Sequence, residues 1–174
     1  MAFRRRTSVR RGPRKRAVWV NIPFGAVAFS ETAGRQILLV PEDWEASFTG
    51  LTNEHAVLRA CVGELVFSQN VVGTAGNNFF WGIYAHGIGA AVPVFTTTGM
   101  SDVSWLRVGA RATTASVTSS VLQSTSLSSQ GIDIKSKRKL DTTMQISIVA
   151  QYSSEAAAPN GVMSGILRFL VARD

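Results

Sequence analysis

Between residues 142 and 152 the chain alternates residue by residue: Met144, Ile146, Ile148 and Ala150 are separated by Gln145, Ser147, Val149 and Gln151. A period of two puts successive side chains on opposite faces of an extended strand, whereas a helix repeats every 3.6 residues. The same period occurs earlier, where Val18, Val20, Ile22 and Phe24 alternate with Trp19, Asn21 and Pro23. In residues 77–87 (NNFFWGIYAHG), Phe79, Trp81 and Ile83 share one face and Phe80, Tyr84 and His86 the other. Residues 36–40, 55–69 and 162–172 are further strand candidates, and 103–112 and 116–127 are weaker ones, rich in β-branched and aromatic residues and bounded by turn formers. Gly63, inside the long run 55–69, reads as a bulge or bend.

Helix is scarce. Residues 41–48 (PEDWEASF) place a proline and then Glu42, Asp43 and Glu45 where a first helical turn favours them, so one short helix is expected. A second turn is expected over 101–106, capped by Ser101. Strands in this number with long polar connections imply an all-β fold, a single eight-stranded jelly-roll β-sandwich. An immunoglobulin-like sandwich fits less well, because there is no cysteine pair and the strands are too long and widely spaced. The 174 residues suit one such domain.

Charge divides the chain in two. Arg4, Arg5, Arg6, Arg10, Arg11, Arg14, Lys15 and Arg16 place eight positive charges, and no acid, in the first sixteen residues. The whole chain has 18 basic and 11 acidic residues, so 10 basic and 11 acidic remain from Ala17 onward, a net of −1. Residues 1–16 therefore read as a disordered Arg-rich arm and 17–174 as the folded body. A block of like charges buries nothing and stays unstructured until it meets a polyanion. Nucleic acid is that polyanion, bound through its phosphates with release of counterions. A nuclear localisation signal is a compatible second role. A mitochondrial presequence is disfavoured, since only Ala2, Phe3 and Val9 are apolar and Gly12-Pro13 breaks a helix. No apolar h-region follows the charges, as a secretory signal needs.

The body holds a second basic feature, IDIKSKRKL at residues 132–140. In a strand, Lys135, Lys137 and Lys139 fall on one face, and Ile134, Ser136, Arg138 and Leu140 on the other. It reads as a solvated edge strand whose lysines block aggregation, as a phosphate-binding stripe on the surface from which the arm emerges, or as a subunit interface.

Catalytic patterns are lacking: there is no HExxH, GxSxG, GxxxxGK[ST] or GxGxxG. His55 and His86 are the only histidines and Cys61 the only cysteine, so neither a zinc site of the usual kind nor an intrachain disulfide is expected. His86 reads as a packed or surface histidine rather than a proton shuttle, and Cys61 as an inert buried thiol. Glu42, Asp43 and Glu45 read as helix N-terminal acids rather than a calcium site between subunits. No enzymatic activity, cofactor or membrane insertion is expected. Trp19, Trp44, Trp81 and Trp105 are core or interface candidates, and any on the nucleic-acid side would stack on a base.

With RRRTSVRRGPRKRAVW (residues 4–19), ILLVPEDW (37–44), HAVLRACVGEL (55–65) and IKSKRKL (134–140), the chain resembles the capsid proteins of small circular Rep-encoding single-stranded DNA viruses, circoviruses among them. It is shorter than those of circoviruses, with a less extensive arm. The resemblance implies a single jelly roll assembled with itself, in about sixty copies, into an icosahedral virion shell, with the arm inside on the packaged genome. It also implies passage through the host nucleus and contact with its import receptor. Satellite RNA viruses of plants share the arm-plus-jelly-roll plan, so an RNA cargo is the alternative to the favoured DNA. The loops 71–78, 87–99 and 153–161 are expected to meet neighbouring copies, because interface cores are poor in charge. A non-viral nucleic-acid-binding module with a basic tail is a rival reading, but it predicts positive charge spread over the body. A β-sandwich enzyme or lectin is another, but it lacks convergent polar groups.

Overall fold

The computed structural model describes residues 17–30, 33–48, 55–70, 78–91, 95, 104–112, 125–152 and 161–173. Along the chain these form β1 (Ala17–Phe29), β2 (Gly34–Leu39), a single helical turn α1 (Glu42–Glu45) continued by a 3-10 turn (Ala46–Phe48), β3 (Ala56–Asn70), β4 (Asn78–Gly87), β5 (Trp105–Ala112), β6 (Thr125–Leu140), β7 (Met144–Tyr152) and β8 (Gly161–Arg173). The described chain is thus nearly all β, as the period-two patterns require. Residues 1–16 lie outside the described residues, as do most of the loops 71–78, 87–99 and 153–161. No helix among the described residues is long and apolar enough to cross a membrane.

The strands make two antiparallel sheets, ordered β1-β8-β3-β6 and β2-β7-β4-β5. Only β4 and β5 are both consecutive in sequence and adjacent in a sheet; every other connection passes from one sheet to the other. The two sheets pack as a β-sandwich because each has one apolar face to hide. On β1, Phe24 is buried and Val18, Val20 and Ile22 pack against the core, while Trp19, Asn21 and Pro23 face outward. An aromatic cluster ties the sheets together at one end. Phe29 of β1 stacks on Tyr152 of β7 (centroids 4.8 Å apart), and Phe67 of β3 meets Phe79 of β4 at 4.9 Å. Such ring pairs add about 0.5–1.5 kcal/mol each beyond their area burial. Cys61 is fully buried here and its thiol is pushed up to about 12 by desolvation, which leaves it inert.

Two local expectations are corrected, a third is met only where the residues are described, and one strand is buried beyond what its alternation suggests. Residues 105–106 belong to strand β5 and not to a helical turn, while 101–103 lie outside the described residues. The expected strand 116–127 overlaps β6 only from Thr125, the rest lying outside the described residues. Gly63 is not a bulge: it pairs in register with Leu167 and Ile132, and the irregularity falls between Leu58 and Ala60. Finally, β7 is buried on both faces from Gln145 to Ala150, despite its alternating sequence. On the outer face of its sheet, Arg35 and His86 hydrogen-bond Ser147, and an aromatic group lies along β4 and β5. Phe95, in the connection from β4 to β5, lies 6.2 Å from Phe80 and 5.2 Å from Trp105, and Trp105 lies 5.1 Å from Tyr84. Polar Gln145 and Ser147 are both buried.

The helix expected over 41–48 is present as α1 and its 3-10 extension, and it buries Trp44 and Phe48 in the core. Asp43 Oδ2 accepts a hydrogen bond from the Val40 N–H at 2.8 Å, which closes the turn into α1. Among the described residues no group of three or more His, Cys, Asp or Glu side chains converges as a metal site.

Candidate nucleic-acid interface

β6 stands at one edge of its sheet, and its burial pattern reproduces the sequence alternation. Lys135, Lys137 and Lys139 are exposed, Ile134 and Leu140 are buried, and Ser136 and Arg138 are half-buried. The Ser136 hydroxyl accepts a hydrogen bond from the Arg138 N–H at 3.0 Å, beside the register shift. Both the edge-strand reading and the basic-stripe reading share this geometry.

The register across the four strands shows what lies beside the lysines. Ala17, Ala172, Val57 and Lys139 form one row over the outer face of the sheet. The next row is Trp19, Leu170, Ala60 and Lys135. Asn21, Arg168, Val62 and Asp133 follow, and then Pro23, Ile166, Glu64 and Gly131. Residues 1–16 therefore join the sheet at Ala17, in the row that ends on Lys139. With strands spaced about 4.8 Å apart, the row spans about 14 Å. The face is graded along the strands: lysines flank the end where the basic segment joins, and its acids, Asp133 and Glu64, fall in the rows beyond. Between β1 and β8, the Arg168 guanidinium lies 5.1 Å from the Trp19 ring centroid, and its Nε–H donates to Asn21 Oδ1 at 2.9 Å. A depression of about 620 Å³ adjoins it, lined by Phe24, Glu64, Val66, Ser164, Ile166 and Arg168 among others.

The structure thus brings Lys135, Lys137 and Lys139 together on one face. The arm residues Arg4, Arg5, Arg6, Arg10, Arg11, Arg14, Lys15 and Arg16 lie outside the described residues, so only their point of attachment is placed. Of the four tryptophans, Trp44 and Trp81 are core, Trp105 is half-buried over the other sheet, and Trp19 is 43% exposed. The alternation at 18–24 already put Trp19 opposite the apolar face; that Arg168 lies against it required the pairing of β1 with β8.

The other sheet carries a polar cluster that sequence reading missed. The His86 Nδ1–H donates to the Gly87 carbonyl at 2.7 Å, so Nε2 is left as an acceptor. It receives Arg35 Nη2 at 3.0 Å from β2 and the Ser147 hydroxyl at 2.9 Å from β7. Arg35 also donates from Nη1 to the Ala90 carbonyl at 3.1 Å, and the Tyr84 ring stacks on His86 at 4.4 Å. His86 is a packed histidine that links three strands to the turn after β4. Burial pushes its pKa down, against a smaller raising effect of the Gly87 carbonyl, and the Arg35 charge lowers it further.

Because the folded state disfavours the proton, the cluster contributes its full stability above the ordinary histidine pKa near 6.5 and loses it as pH falls through the lower folded value. Thermal melting between pH 7.5 and 5 is expected to show a falling midpoint for the native chain and a flatter profile for His86→Gln. Parallel profiles would show that another group carries the acid sensitivity.

No family model matches the chain, and no curated protein does. Among solved structures, it is similar to one of the infectious bursal disease virus Gx strain, at 16% identity over 92% of this chain and 34% of that one, with a TM-score of 0.29. A structure of the Gt strain of the same virus gives 14% identity, 92% and 36% coverage, and a TM-score of 0.32. The chain spans about a third of the length of each. Likeness at that level carries no weight for what this chain does, which must come from its own charge and surfaces.

Proposed function

We propose that this chain is a viral capsid protein: a single jelly roll that assembles with itself into a small icosahedral shell and packages a single-stranded genome, DNA in preference to RNA, through an arm formed by residues 1–16. The observation that carries the reading is the segregation of charge. Eight positive charges precede a body of net −1, and they join it at Ala17, on the same sheet face and at the same end of the strands as Lys139, with the lysines on the opposite edge strand. A protein that binds nucleic acid as a monomer would spread charge over its body, whereas a tiling subunit keeps its contact surfaces poor in charge. The strand orders β1-β8-β3-β6 and β2-β7-β4-β5 support the jelly roll, since the chain wraps back and forth between the sheets. Ile88, 57% exposed in the turn after β4, lies in one of the loops expected to meet neighbouring copies.

A closed shell of equivalent subunits takes about sixty copies. Sixty arms carry roughly 480 positive charges, enough to neutralise a comparable number of phosphates, and the lysine stripe adds to them. Such contacts are sequence-independent, so packaging does not read bases directly. The same basic run serves as the import signal that brings the subunit to the host nucleus for assembly.

The full chain, purified from an expressing cell, is expected to run as megadalton particles that protect single-stranded nucleic acid from nuclease. Sequencing the protected strands separates DNA from RNA. A small species that binds nucleic acid in solution would sink the capsid reading in favour of a basic-tailed binding module.

A further inference from the structure

Trp19 is the exposed aromatic of a mixed face, on which Leu170, Ala60 and Ile166 stand among Lys135, Asn21 and Arg168, and two of these polar side chains order its surroundings. Its indole is 43% exposed, against 4% for Trp44 and 1% for Trp81. Arg168 lies against the ring at 5.1 Å, and its hydrogen bond to Asn21 at 2.9 Å fixes the guanidinium in place. An arginine so pinned is ordered before any ligand arrives, and its guanidinium carries four further N–H donors. In the same row, about 14 Å away across the sheet, stands Lys135. A flat aromatic, a flat cation and a flanking lysine stripe are the parts that bind single strands: charge tracks the backbone and the π-face takes a base.

We propose that Trp19, with Arg168 and Asn21, is a stacking site for an unpaired base of single-stranded DNA whose phosphates run along the lysine stripe. The proposal rests on the nucleic-acid reading above and adds to it a contact with the base, which the basic arm does not supply. Charge complementarity selects this occupant: Arg168 lies against the ring and Lys135 and Lys139 end the Trp19 and Ala17 rows, while of the acids Asp133 stands on the far edge strand of the Arg168 row and Glu64 one row further from the end where the basic segment joins.

Titration of the full chain with short oligo(dT), with a duplex of equal length and with inorganic polyphosphate tests it. Oligo(dT) is expected to quench tryptophan fluorescence, whereas the duplex, whose bases are already stacked, and polyphosphate, which has none, are not. Trp19→Leu should abolish the quench and weaken oligo(dT) binding about tenfold, with polyphosphate affinity unchanged. Trp19→Phe, which keeps a ring, should lose the quench and retain most of the affinity. A quench that survives in Trp19→Phe, or oligo(dT) affinity unchanged in Trp19→Leu, overturns the site while leaving the arm's role standing. Failure of the native chain to bind oligo(dT) at all overturns the nucleic-acid reading itself.

Discussion

Particles assembled from a chain in which the eight basic residues of 1–16 are replaced by glutamine are expected to be empty. The sandwich should fold unchanged, because a block of like charges has no apolar side chains to bury in its core. The size of the effect follows from counterion release. For a single strand, the logarithm of affinity falls with the logarithm of salt concentration at about 0.7 per phosphate contact. Eight contacts therefore weaken binding by about three decades between about 50 and 200 mM salt, and the three lysines left in the variant by about one. The slope of a salt titration thus counts the contacts, and its drop should match the eight charges removed. The variant body, at net −1, gives no general attraction to a polyanion that would mask the loss. Normal genome content in the variant particles, or an unchanged salt slope, would remove the arm from the packaging mechanism and leave Lys135, Lys137 and Lys139 to carry it.

Much of the fold was legible because a period of two reports which side chains share a face. It placed Val18, Val20, Ile22 and Phe24 toward the core, split Phe79, Trp81 and Ile83 from Phe80, Tyr84 and His86, and set Lys135, Lys137 and Lys139 apart from Ile134 and Leu140. Periodicity does not report what covers a face. β7 reads as half-polar, yet Ser147 and Gln145 are buried, and the Arg35 and His86 side chains that bond Ser147 come from two other strands. Pairing is equally hidden. β1 lies beside β8, with Asn21 meeting Arg168 from 147 residues away, and no local pattern encodes such a partner. The interface was therefore half legible: charge blocks and lysine alternation are local, while the row that aligns Trp19 with Lys135 exists only once four strands are in register. His86 shows the same limit, since its partners Arg35 and Ser147 come from two other strands.

Gly63 is the position where a single methyl group should damage the sandwich most. Sequence reading marked it as a bulge or bend, but β3 continues in register through it, bonded to β8 on one side and β6 on the other. Its φ of +152° is one that other residues rarely adopt. A Cβ there would collide with the Ile166 carbonyl oxygen and lie 2.9 Å from both Leu167 Cα and Leu167 Cδ2. The obstacle is backbone of the paired strand, so relief requires moving β3 against β8 along a ladder that runs from Ala56 to Gln69. Overpacking of this kind costs about 1–3 kcal/mol and backbone strain about as much again. Gly63→Ala is thus expected to lose about 3 kcal/mol and, at about 2–4 °C per kcal/mol for a chain of this size, to melt about 10 °C lower. Gly63→Val adds a branched side chain at the same contact and should fail to fold. Gly25→Ala is the control, since nothing lies within 4 Å of its Cβ and its midpoint should hold or rise slightly. Equal melting of Gly63→Ala and Gly25→Ala would mean that β3 and β8 do not approach at Gly63 as closely as the register requires, and the row that brings Trp19 and Lys135 onto one face would fall with it.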